Sequence, residues 1–319
     1  MSLRDAAISL ARNRVSIALR PEEMGALVGF LGDQFGIRQP PNGFDLEATV
    51  AASVDEQAYA AFERASVERT LCRGEVKRAA DAVFYELIAD QPLLGLVHST
   101  KFPVISDAAA YLSVILREAK VSGPILDVGC GPGYHAMWLG TLLGAQVTGL
   151  EASPRTVNFA SRKAAELKIP ARFMCARVPS LPAGIGKFRA VYSCDGPLQM
   201  TPEDLGLVSR LLAEDAVFVW IGGGSELTSR GLSRLLQAAG FELLLCDVLG
   251  GWDGKEYGAK TVLVLAKGRR PAVPRELRAA MTDVWEQGFR DYANTPGRAA
   301  DRKSLAWYRT FATFGSPSS

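Results

Sequence analysis

The residues best equipped for chemistry gather in one stretch, Pro124 to Gly133, reading PILDVGCGPG, with YHAMWLGTLL running on behind it. A short apolar run (Ile125, Leu126, Val128) carries an acid at Asp127 and gives way to glycines at 129, 131 and 133. Met137, Trp138, Leu142 and Leu143 then mark a helical apolar face. Strand, glycine turn, helix is the opening of a nucleotide-type α/β unit. Glycines at the turn can take positive φ and let the backbone press against a ligand. The helix start offers unpaired N–H groups and a partly positive end. Glu151, at the end of the next apolar run, is placed to accept hydrogen bonds from sugar hydroxyls. It also reads as an acid at the amino end of a helix opened by Ser153-Pro154, and the two roles are compatible.

Two ligand classes use such a turn. Gly131-x-Gly133-x-x-Ala136, with Glu151 about 20 residues on, can be laid over the dinucleotide fingerprint. The second register is Asp127-x-Gly129-x-Gly131-x-Gly133, with the acid at the strand end. In that register LDVGCGPG resembles motif I of the class I S-adenosylmethionine-dependent methyltransferases. The resemblance implies S-adenosyl-L-methionine as cofactor, bound around Asp127, Gly129, Cys130, Gly131, Gly133, Tyr134 and His135. It places the ribose on Glu151 and Ala152.

Further along, ARVPSLP resembles the family's GDAxxLP segment, where an acid meets the adenine amino group. Arg177 stands at the acidic position here, and a guanidinium cannot accept that hydrogen bond. It can stack on the adenine face or turn to solvent. The backbone N–H of Val178 is unaffected by the change. Cys194 and Asp195 stand where family members carry methionine- and substrate-contacting groups, although Asp195 beside Gly196-Pro197 also reads as a turn residue. His98, in the stretch HSTKF, is expected in a polar loop near the cofactor's methionine end or as a surface residue. His135 lines the pocket or merely packs.

These residues need elements to hold them. Apolar runs predict strands at 125–128, 146–150, 171–175, 188–194, 216–221, 242–248 and 260–266. Helical patterns separate the first of these. The last two strands, joined by the irregular LGGWDGKEYGA loop, are expected to pair antiparallel. The expected fold class is therefore α/β, a Rossmann-like doubly wound, mostly parallel seven-stranded sheet with an antiparallel last strand. Ahead of it, residues 1–120 read as a helical cap that shapes a substrate pocket or simply packs on the sheet. Helices are predicted after Arg20-Pro21 (stripe Met24, Leu27, Val28, Leu31), over 55–71 (through Phe62, Ala65 and Val67), over 75–89 (Val76, Ala79, Val83, Leu87) and over 107–120. The core spans 121–268, and 269–319 form a helical extension whose last residues are expected to be disordered.

Composition narrows the function classes. The chain has 319 residues, 48% hydrophobic and 22% charged, with a formal net charge of +2, so no global field advertises nucleic acid. From Arg269 on, nine basic residues face five acidic ones with aromatics interleaved. Their helical spacing favours packing over a nucleic-acid arm. Five scattered cysteines without paired spacing read as reduced thiols, with neither a disulfide nor a metal framework. The charged N-terminus lacks the apolar core of a secretory signal, and no apolar run is long enough to span a bilayer, so the expected location is cytoplasmic.

The expected reaction is methyl transfer to an O, N or C atom of a small molecule, by in-line displacement with the protein supplying aim. His98, His135 and Asp195 are the nominated bases, with Asp195 and His98 set down as catalytic. Support for a small acceptor comes from the helical cap, the near-neutral charge and the absence of an Asn/Asp-Pro-Pro-aromatic motif. A protein or RNA substrate, and a non-catalytic cofactor-binding scaffold, are the alternatives. A homodimer stays open.

Overall fold

The computed structural model describes residues 19–41, 43–71, 74–89, 93–118, 120–222, 229–249 and 260–267. The N-terminal leader reading, the loop between the last two strands and the 269–319 extension lie outside the described residues.

Helices come first along the chain: α1 (Pro21–Phe35), α2 (Leu46–Ser53), α3 (Glu56–Leu71), α4 (Gly74–Ile88), α5 (Leu93–Ser99) and α6 (Phe102–Glu118). Then follow β1 (Ile125–Val128), α7 (Tyr134–Leu143), β2 (Val147–Glu151), α8 (Pro154–Glu166), β3 (Ala171–Cys175) and β4 (Phe188–Cys194). The described part closes with α9 (Pro202–Leu211), β5 (Leu212–Gly222), α10 (Ser229–Ala239), β6 (Phe241–Leu249) and β7 (Lys260–Lys267).

The boundaries follow local chemistry. Pro21 opens α1, Glu23 accepts from the Arg20 N–H at 3.2 Å, and Gly36 ends the helix in the left-handed region at φ 69°. Asp45 caps α2 through the Ala48 N–H at 3.0 Å. Thr201 and Asp204 form a reciprocal capping box on α9.

The seven strands form one sheet in the order β3-β2-β1-β4-β5-β7-β6. β2 pairs parallel with β3, and β4 with β5, while β7 runs antiparallel to both β5 and β6. That is the expected Rossmann-like, mostly parallel sheet with its last strand reversed. β2 is buried along its whole length, as a strand covered on both faces must be. The edge strand β3 buries only Phe173, and that ring serves the glycine turn described below.

By packing, the described chain falls into two compact units. One joins Leu19–Ala110 to Leu126–Gly184; the other joins Tyr111–Ile125 to the residues from 185 on. In the first, Val50, Phe62, Ala65, Phe84, Ile88, Leu93 and Val97 make a core among α2 to α5. In the second, β5 buries an unbroken run from Ala216 to Gly222.

Several sequence expectations need correction. His98 is not in a loop: it is helical, in α5, and only 3% exposed. Two short helices, α2 and α5, were not foreseen, α6 starts a turn earlier than 107, and β5 begins at Leu212 instead of 216. The expected buried stripe of α3 holds at Phe62 and Ala65 but not at Val67, and that of α4 is rotated in phase. Val67, Val76 and Val83 are exposed, while Phe84 and Ile88 face the core. Val28 of α1 is also exposed, with Leu27, Leu31 and Phe35 taking the buried positions.

Candidate functional site

The glycine turn is built from contacts that leave little freedom. The Gly129 and Cys130 N–H groups both donate to the Leu150 carbonyl, at 2.8 and 2.9 Å, so the turn is tied to the end of β2. Gly129, Gly131 and Gly133 all have positive φ, at 81°, 51° and 81°. Gly133 faces a second constraint, because a Cβ there would lie 2.5 Å from the Phe173 ring. At Gly131 such an atom would meet nothing within 4 Å, so the backbone at that point borders open space. Here the turn can be approached by a ligand; at Gly133 it is sealed by protein.

Glu151, the last residue of β2, is the centre of the arrangement. Its Oε1 accepts the N–H groups of Ala152 (2.7 Å) and Ser153 (3.0 Å), and its Oε2 accepts that of Gly131 (3.1 Å). A carboxylate has about four acceptor positions. Three are filled by backbone, which leaves one on Oε2, beside the open Gly131. Burial pushes the Glu151 carboxyl above its ordinary range, the three N–H donors pull it back, and nearby Glu86 pushes it up further.

The other motif residues surround this pair. Asp127 is buried in β1. The Cys130 thiol is buried, and desolvation together with Asp127 and Glu151 holds its pKa well above the usual thiol value, so it stays protonated. Ala152 follows Glu151 and is half-buried. Beyond β3 the Ala176 N–H donates to the Glu151 carbonyl at 2.9 Å. That bond brings Val178, which is buried, and Arg177, which is exposed and bridged to Ser180, into the same neighbourhood of the chain.

Ahead of the turn lies an aromatic column. The Tyr134 ring, at the first residue of α7, sits 4.7 Å from His135 and 5.5 Å from His98. His98 in turn lies 6.0 Å from Tyr85. The Nδ1 of His98 is 2.8 Å from the Leu94 carbonyl, which can only accept, so Nδ1 carries the proton and Nε2 is an acceptor. By the same reasoning Nε2 of His135 donates to the Ile105 carbonyl at 3.0 Å. Burial lowers both histidines to about 4, so both rings are neutral at pH 7.

Cys194 and Asp195 belong to the other unit, at the carboxyl end of β4. Cys194 is half-buried and Asp195 exposed with φ 50°, its N–H donating to the Ile221 carbonyl at 2.7 Å. The Trp220 indole N–H pins the following segment by donating to the Leu198 carbonyl at 2.9 Å.

Two contributors escaped the sequence reading. Phe173 closes over Gly133 and also over Gly149, where a Cβ would again fall 2.5 Å from its ring. Glu86, on α4, accepts hydrogen bonds from the Ser153 hydroxyl and from the Arg155 N–H at 3.3 Å. A buried aromatic on an edge strand was the only hint of the first. Nothing local in sequence announces the second.

Residues 125–214 match the family described as a methyltransferase domain. A ubiquinone biosynthesis O-methyltransferase of Chromobacterium violaceum is 35% identical over 138 residues, 42% of this chain. The match spans 57% of that protein's length. Among solved structures, the magnesium protoporphyrin IX methyltransferase of Synechocystis, with S-adenosylmethionine bound, overlaps with a TM-score of 0.42 at 17% identity, covering 72% of this chain and all of the other. An S-adenosylmethionine-dependent methyltransferase of Clostridium acetobutylicum overlaps with a TM-score of 0.41 at 12% identity, over 49% and 89% of the two chains. Overlaps of that size define neither a reaction nor a substrate.

Proposed function

We propose that this chain, whose residues 125–214 match a methyltransferase-domain family, is a class I S-adenosylmethionine-dependent methyltransferase that moves a methyl group from that cofactor to an acceptor atom on a small molecule. The observation that carries the reading is Glu151: a buried carboxylate, fixed by three backbone donors, with one acceptor position left beside the open Gly131. That set suits one ribose hydroxyl and the close approach of a nucleoside to the backbone. The cofactor, when bound, supplies a methyl carbon activated by a positive sulfur.

The chain's own part is to bind the cofactor and aim the acceptor at its methyl group. Val178, buried beyond β3, offers its N–H to the adenine ring, while the exposed Arg177 leaves the adenine amino group without the usual acid. Cys194 and Asp195 are the candidates for the methionine end or the acceptor. His98 presents a neutral, buried Nε2 that can accept a hydrogen bond from an acceptor's hydroxyl; its low basicity suits a positioning bond better than full proton removal. Oxygen on a small molecule is supported by the name of the Chromobacterium violaceum relative, an O-methyltransferase.

Calorimetric titration tests the cofactor half. S-adenosylmethionine and S-adenosylhomocysteine should both bind, and Glu151→Ala should lose them; binding of NAD instead would replace this reading with a dinucleotide site. Transfer of label from methyl-labelled cofactor tests the acceptor half. Label should enter a hydroxyl oxygen of a small molecule, and label in the protein or RNA fraction would overturn the small-molecule assignment.

A further inference from the structure

Glu86 stands 67 residues ahead of Ser153 in sequence, yet the two are hydrogen-bonded. The contact is part of a seam between α4 and the start of α8. Thr156 donates through Oγ1 to the Tyr85 carbonyl (3.2 Å), Arg155 donates its N–H to Glu86 (3.3 Å), and the Ser153 hydroxyl donates to the same Glu86 oxygen. Ser153 therefore has every polar atom assigned. Its Oγ gives its proton to Glu86 and accepts the Thr156 N–H at 3.1 Å, while its own N–H holds Oε1 of Glu151.

Resting on the cofactor reading above, we propose that Glu86 is a positioning residue for the ribose carboxylate. By fixing Ser153, it keeps Oε1 of Glu151 committed to backbone and aims the last acceptor position of Oε2 at a ribose hydroxyl. The arrangement runs against simple electrostatics. A second carboxylate beside Glu151 disfavours its ionised form, so charge alone says that removing Glu86 should improve the grip on a hydroxyl donor. Positioning says the reverse. The sign of the effect separates the two.

The test uses the full chain, with S-adenosylhomocysteine and its 2′,3′-dideoxyadenosyl counterpart as probes. Glu86→Ala should weaken S-adenosylhomocysteine by about five- to twentyfold, in keeping with one misaligned charge-assisted hydrogen bond, and leave the dideoxy probe unchanged. Glu86→Gln, which still accepts from Ser153, should stay within about threefold of wild type. Ser153→Ala breaks the bridge while leaving Glu86 in place, and should reproduce the ribose-restricted loss even if Glu86→Ala folds poorly. Combined with Glu151→Gln, Glu86→Ala should add nothing further. Equal losses on both probes would reduce Glu86 to a helix-end contact and overturn the proposal, as would unchanged or tighter binding in Glu86→Ala and Ser153→Ala. Failure of the wild-type chain to bind S-adenosylhomocysteine would instead bring down the cofactor reading itself.

Discussion

The carboxyl ends of β2 and β4 each present an acid, and the two acids are built in opposite ways. Glu151 is buried, with three N–H donors on its oxygens and a hydroxyl-anchored loop beside it. Asp195 is exposed, in the left-handed region that Asp tolerates, in a segment anchored by its backbone and by Trp220. A buried, fully assigned carboxylate is fixed before any ligand arrives, which suits a group that must recognise the same sugar every time. An exposed one in contact with water is held less tightly by burial. On the proposed function, the fixed acid is the one that holds the cofactor's sugar.

The largest break in this comparison should come from Glu151→Ala. It strips the partner from three N–H groups, each costing about 1–3 kcal/mol when buried and unpaired, so the loss should be roughly 3–9 kcal/mol in urea unfolding. A loss no larger than that of Asp195→Ala would erase the distinction. Next comes Gly133→Ala, where a methyl group must enter the space of the Phe173 ring at positive φ. Overpacking and the left-handed backbone together predict roughly 2–5 kcal/mol, against about 1–2 kcal/mol for Gly131→Ala, which strains the backbone but meets no atom.

The buried histidines sharpen the contrast through pH. The unfolded chain takes up a proton at His98 and His135 near 6.5, the folded chain only near 4. The unfolded state thus binds more protons in that window, and stability falls as pH drops through it, by up to about 3 kcal/mol for each ring. His98→Gln and His135→Gln should each flatten the slope of stability between pH 6.5 and 4; an unchanged slope would mean the rings are not neutral and buried. The smallest effect belongs to Asp195→Ala, which should change stability by no more than about 1 kcal/mol while altering methyl transfer, read by comparing melting curves with turnover.

What the sequence disclosed about the site was what is local in it. The spacing of Asp127, Gly129, Gly131 and Gly133 determines a turn by itself, and Glu151 ends a strand whose apolar run is continuous. The reversed β7 was also legible, since so short a connection cannot carry a parallel return. Helix phase was harder to read. Along α4 the pattern Val76, Ala79, Val83, Leu87 and the pattern Phe84, Ile88 are both helical, and only the neighbours in space decide which faces inward. His98 looked like part of a polar loop because α5 is only seven residues long, too short for a periodic signal. Glu86 and Phe173 act on residues far away in the chain, so no spacing could reveal them.

The most direct measurement is a crystal structure of the chain with S-adenosylhomocysteine. A single ribose hydroxyl should lie about 2.5–2.7 Å from Oε2 of Glu151, the distance of a charge-assisted O–H···O bond, with the three backbone donors still in place. A nucleoside whose sugar makes no contact with that oxygen, or one seated away from Gly131, would contradict it.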